Sequence, residues 1–138
     1  MRFFVVLLLA MMTMSTTELA TAADTSSGSR FFEMRTYTTH DGRLDALNAR
    51  FRNHTNRIFA KHGIEIIGFW VPADEPDSAN TLVYMLAYPS REARDAAWKA
   101  FGADPDWKAA KAESEKDGPI VKKVISQFLK PTDYSPIK

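Results

Sequence analysis

Apolar and polar positions alternate from Phe31 to Thr38, with Glu33, Arg35 and Tyr37 on one side and Phe32, Met34 and Thr36 on the other. A period of two predicts a strand. The period then changes. Leu44, Leu47, Phe51, His54 and Ile58 recur at spacings of three and four, the stripe of an amphipathic helix lying on a sheet. Asp41-Gly42 supplies the turn, with Asp41 as a candidate cap, and Gly63 stands where a left-handed C-terminal cap belongs. Ile64–Val71 is almost continuously apolar, the pattern of a strand buried on both faces.

After the Pro72–Ser78 loop the sequence repeats itself. Thr81–Tyr88 is a third strand, Ser90 caps a helix through Phe101, and Asp104-Pro105 opens a further helix through Glu115. Asp117-Gly118-Pro119 stops it, and Ile120–Leu129 alternates as a fourth strand. An offset of 51 residues lays Met34 on Met85, Tyr37 on Tyr88 and Leu47 on Trp98. The order β-α-β-β-α-β predicts a ferredoxin-like α+β fold, a four-stranded antiparallel sheet with its helices on one face. The other face is left bare and mostly apolar. Two copies pairing sheet to sheet would bury it in a dimeric α+β barrel, so a homodimer is expected.

The N-terminus has a different character. Arg2 precedes an apolar run, Phe3–Met14, and Ala20-Thr21-Ala22 fits a signal-peptidase site. The run of about 12 residues is shorter than the ~20 that cross a bilayer, so no membrane span is expected in the mature protein. The expected organisation is a signal peptide over 1–22, a flexible linker over 23–30, one domain over 31–130 and a tail over 131–138. The product is expected in the periplasm or outside the cell. Without cysteine, neither a lipid anchor on that residue nor a disulfide is available. The formal charge of +1 and the lack of a basic cluster argue against nucleic acid as a partner.

Four segments in order, Glu33-Met34-Arg35-Thr36-Tyr37, His62-Gly63-Ile64 leading to Gly68-Phe69-Trp70, Tyr84–Tyr88, and Trp98 with Phe101 before Asp104-Pro105-Asp106-Trp107, resemble NIPSNAP-domain proteins over Phe31–Leu129. The resemblance implies the dimeric α+β barrel architecture. That superfamily includes cofactor-free monooxygenases and heme enzymes; NIPSNAP proteins themselves have no generally assigned reaction. Heme-degrading relatives carry an iron-ligating histidine on the second helix, whereas Arg91–Glu115 contains none. No cofactor is expected, and three scattered histidines offer no metal-ligand spacing.

Candidate chemistry rests on five residues. Glu33, Arg35 and Tyr37 share one face of the first strand, a row able to hold an anionic or carbonyl-bearing ligand with Arg35 as the bidentate donor. His54, on the helix stripe, is the candidate catalytic acid–base. Trp107 is a candidate wall of the same pocket, between helices and sheet. The competing account makes these residues structural: an ion pair under Tyr37, a core histidine and packed aromatics in a non-catalytic interaction module. The two accounts differ in whether a cavity with convergent polar groups exists. Strand periodicity alone does not say which face of the first strand the helices cover.

Overall fold

A computed structural model describes residues 30–138. The expected signal segment 1–22 and linker residues 23–29 lie outside the described residues. Strands β1 (Phe31–Thr39), β2 (Glu65–Trp70), β3 (Thr81–Tyr88) and β4 (Val121–Leu129) form one antiparallel sheet in the order β2-β3-β1-β4. The first helical unit consists of α1 (Leu44–Arg50), a π turn (Phe51–Thr55) and α2 (Asn56–Lys61) without interruption. The second consists of α3 (Arg91–Ala103) and α4 (Pro105–Ser114). This is the ferredoxin-like arrangement expected from periodicity. Met34 and Met85, equated by the internal repeat, are direct partners in the β1–β3 register.

The helices cover the face that carries Glu33, Arg35 and Tyr37. On that side Leu82, Tyr84, Leu86 and Tyr88 of β3 are buried with Leu47, Ile58 and Phe59 of the first helical unit. Local signals act largely as expected. Ser90 Oγ accepts from the amide of Ala93 at 3.1 Å, and Asp104 Oδ1 accepts from Asp106 N–H at 2.8 Å with Pro105 at the first helical position. Gly63 takes a φ of +71°, which favours glycine. Asp41 does not cap: Arg43 occupies the N-cap without a side-chain bond, and its Nη2 reaches the carbonyls of Ser114 and Gly118.

Two expectations about burial change. β2 is an edge strand, so the burial of both faces expected for Ile64–Val71 does not occur within one chain; Trp70 remains 53% exposed. Its indole lies so close over Gly68 that a Cβ there would stand 2.7 Å from the ring. The second change is in the helix stripe. The π turn inserts one residue into the helical period, so that Thr55 rather than His54 follows Phe51 into the core. Thr55 Oγ1 donates to the Arg50 carbonyl at 3.3 Å across the widened turn.

The open sheet face is partly covered by the chain's own tail. Phe32 and Met85 line a groove with Pro131, Ser135 and Ile137, while Arg30 Nε donates to the Lys138 carbonyl oxygen. Trp70, Ile125 and Leu129 stay exposed on that face.

Thr55→Val keeps the branched shape and removes the hydroxyl bond across the π turn. It is expected to cost about 1 kcal/mol in urea unfolding; unchanged stability would show that the bond does not hold the turn.

Candidate ligand-binding site

Glu33 lies on β1 with no exposed surface, and a buried carboxylate needs partners. It has three. Arg94 of α3 places Nε 2.9 Å from Oε2 and Nη2 2.8 Å from Oε1, a two-point grip. Arg35 Nη1 donates to Oε1 at 2.6 Å, and Tyr88 OH donates to Oε2 at 3.1 Å. Burial pushes the Glu33 carboxyl up, but the hydrogen bond from Arg94 and the charge of Arg35 outweigh it and hold it down at about 2. The same partners fix Trp98, whose Nε1–H donates to Tyr88 OH at 2.7 Å and whose ring lies 4.3 Å from the Arg35 guanidinium carbon. Arg35 Nη2 in turn donates to Tyr37 OH at 3.2 Å.

Next to this network is a cavity of about 330 Å³. Arg50, Phe51, Thr55 and Phe59 of the first helical unit and Phe101 of α3 form its buried floor. Tyr37, Trp98 and Trp107 stand as half-buried walls, and Lys111, Pro119 and Val124 mark the exposed rim. Glu115 and Val121 complete the lining. The aromatic walls brace one another: Phe59 and Trp98 are 5.5 Å apart between centroids, and Phe101 and Trp107 4.6 Å. The size falls within the ~300–1,000 Å³ typical of small-molecule sites, and the mixture of apolar walls with a few polar groups is equally characteristic.

The polar groups cluster at one side. Arg50 Nη1 donates to Glu115 Oε1 at 3.1 Å and to Ser114 Oγ at 3.3 Å, and Lys111 also pairs with Glu115. Burial pushes Glu115 up, but the bonds from Lys111 and Arg50 leave it below the ordinary carboxylate value. It is therefore ionised at neutral pH.

Of the five residues singled out from sequence, Tyr37 and Trp107 line the cavity. Arg35 and Glu33 stand behind Tyr37 in the ion network and do not line it. His54 does not join them. The π turn rotates it outward to an exposed position, where it borders a separate groove with Asn53 and Glu113. The expected convergence of His54 with Arg35 and Tyr37 is not seen, and neither is the core histidine of the competing account. Arg50 went unnoticed in sequence, although it follows Leu47 by three on the buried stripe. Lys111 and Glu115 carry no local signal that separates them from a solvated helix face. His62 makes a 2.6 Å bond from its Nε2 to Asp104 and so ties the two helical units together. Among the described residues no group of three or more carboxylates and histidines is placed to hold a metal ion. No helix of the described residues is long and apolar enough to cross a membrane.

The NIPSNAP family model matches residues 32–136. Among solved structures, a NIPSNAP family protein with unknown function from Agrobacterium tumefaciens strain C58 is 23% identical, with 80% of this chain and 95% of that one covered at a TM-score of 0.69. An uncharacterised NIPSNAP domain protein from Burkholderia xenovorans is 24% identical, over 77% of this chain and 98% of that one, at 0.65. A candidate antibiotic biosynthesis monooxygenase from Nitrosomonas europaea shares 13% identity over 80% of this chain and 96% of that one, at 0.55. At these identities the likenesses concern the fold. No curated protein matches the chain.

Glu33→Gln removes the carboxylate that Arg94 and Arg35 share and is expected to destabilise by about 3–5 kcal/mol at neutral pH. The pH dependence has a defined sign. Because the folded-state value of Glu33 lies below its ordinary 4.5, its contribution is complete above that value and is lost as pH falls toward about 2. Urea unfolding across this range should show a shallower acid loss in Glu33→Gln than in wild type. Equal slopes would contradict the assignment.

Proposed function

The chain belongs to the NIPSNAP family, and from that premise we propose that it works as an exported homodimer that binds a small organic ligand between helices and sheet. The observation that carries this reading is the aromatic cavity of about 330 Å³, open at one rim and lined on its polar side by Arg50, Glu115 and Lys111. A domain whose residues served packing alone would fill that space with side chains. Tyr37 and Trp107 act as walls of the ligand site. Arg35 and Glu33 act behind them, setting the Tyr37 hydroxyl and the Trp98 ring. His54 has no part in it.

The dimer rests on the other sheet face. Trp70, Ile125 and Leu129 are between 36% and 53% exposed there, and a sheet-to-sheet partner would cover them. Export rests on the Phe3–Met14 run and the Ala20-Thr21-Ala22 site. For the exported product, Edman sequencing is expected to start at Ala23 and light scattering to give twice the chain mass. An intact Met1 in the cytoplasm, or a stable monomer at micromolar concentration, would remove the corresponding part of the proposal.

The ligand reading is tested by filling the cavity from its rim. Val124 is exposed on an edge strand, so Val124→Trp should plug the opening without disturbing the floor. Small planar aromatic probes are expected to perturb the tryptophan fluorescence of wild type and leave Val124→Trp unaffected, with thermal stability within about 1 kcal/mol. No response in wild type would favour a non-catalytic interaction module, in which these side chains stabilise the fold alone.

A further inference from the structure

We infer that the cavity selects a small monocarboxylate with an aromatic or branched apolar body, and that Arg50 is the residue that receives the carboxylate. The inference rests on the ligand-binding reading above and adds the chemical class. Arg50 is the most buried charge of the lining, with only 4% of its side chain exposed. A buried guanidinium normally satisfies its donors. Here both side-chain bonds leave from Nη1, toward Glu115 and Ser114. The Nε–H is buried with no hydrogen-bond partner, and Nη2 makes no bond with any described residue. The Nε/Nη2 edge is therefore unpaired among the described residues.

The same protein shows what that edge binds. Arg94 uses its own Nε and Nη2 to hold both oxygens of the Glu33 carboxylate, at 2.9 and 2.8 Å. Planar two-point pairing is the preferred geometry between guanidinium and carboxylate. Arg50 is also held for the purpose, since its guanidinium carbon lies 5.2 Å from the centroid of Trp107 and Glu115 fixes the opposite edge.

Charge and volume narrow the class. Arg50 and Lys111 share a single carboxylate, Glu115, which leaves one positive charge in excess at the polar side of the cavity. One excess charge matches a monoanion. The rest of the lining is Phe51, Phe59, Trp98, Phe101 and Trp107, which suits an apolar body, and about 330 Å³ limits that body to a small one.

The test is isothermal titration of the mature chain with 2-naphthoate and with neutral 2-naphthamide, which matches it in shape. The acid is expected to bind about tenfold or more tightly than the amide, and Arg50→Leu is expected to erase that preference. In wild type labelled with ¹⁵N-arginine, the Arg50 Nε–H resonance should move on adding the acid and not on adding the amide; this readout decides the matter should Arg50→Leu fail to fold. Equal affinities, or an acid preference that survives Arg50→Leu, would overturn the carboxylate assignment and leave the ligand-binding reading standing. Binding of neither probe, together with no fluorescence response of wild type to the wider planar series, would overturn both.

Discussion

A carboxylate buried without solvent between two arginines is the constraint on which the rest of this structure depends. Glu33 has to be ionised to hold Arg94 and Arg35, and removing either its charge or its partners would strand charge in a water-poor setting. Such a group tolerates little displacement. Arg94 is on α3 and Glu33 on β1, so the grip sets where α3 lies over the sheet. Trp98, one helical turn beyond Arg94, is then placed to donate to Tyr88 and to stack on Arg35. The wall of the cavity is thus a consequence of an ion pair that does not itself line the cavity.

The floor of the cavity depends on the π turn. An uninterrupted α-helix would carry His54 inward, and the floor would have an imidazole in place of a threonine. The extra residue puts Thr55 inside, supplies its hydroxyl to the Arg50 carbonyl, and leaves Arg50 and Phe51 side by side in the lining. π turns often coincide with functional sites because they cost regular hydrogen bonding and persist where a side chain must be re-aimed. Here the re-aimed residues are those of the floor.

The order of strands and helices was legible because each element has a clean period and a chemical stop: Gly63, Pro89, Asp104-Pro105 and Gly118. The face of β1 covered by helices was not, since two faces of a strand differ by a one-residue slip. His54 was placed inward because a 3.6-residue period is the only guide a sequence offers, and no residue pattern announces a wider turn. Arg50 was hidden for the complementary reason: a charge on an apolar stripe reads as solvated until its partners are known. Glu115 and Lys111, which complete that cluster, come from a segment more than 60 residues away. Long-range pairing of this kind leaves no local trace.

The two faces of the sheet have separate tasks. The helix-covered face holds the ion network and the cavity. The open face carries Trp70, Ile125 and Leu129, with the C-terminal tail over Phe32 and Met85 at one end. A ligand-free crystal structure of the mature protein tests most directly whether the Glu33 network holds a cavity open. Arg94 is expected to pair with Glu33 through both nitrogens and Trp98 with Tyr88, with an unfilled space between Arg50, Phe101 and Trp107. Trp98 and Trp107 collapsed into that space, or α3 displaced with Glu33 paired elsewhere, would contradict it.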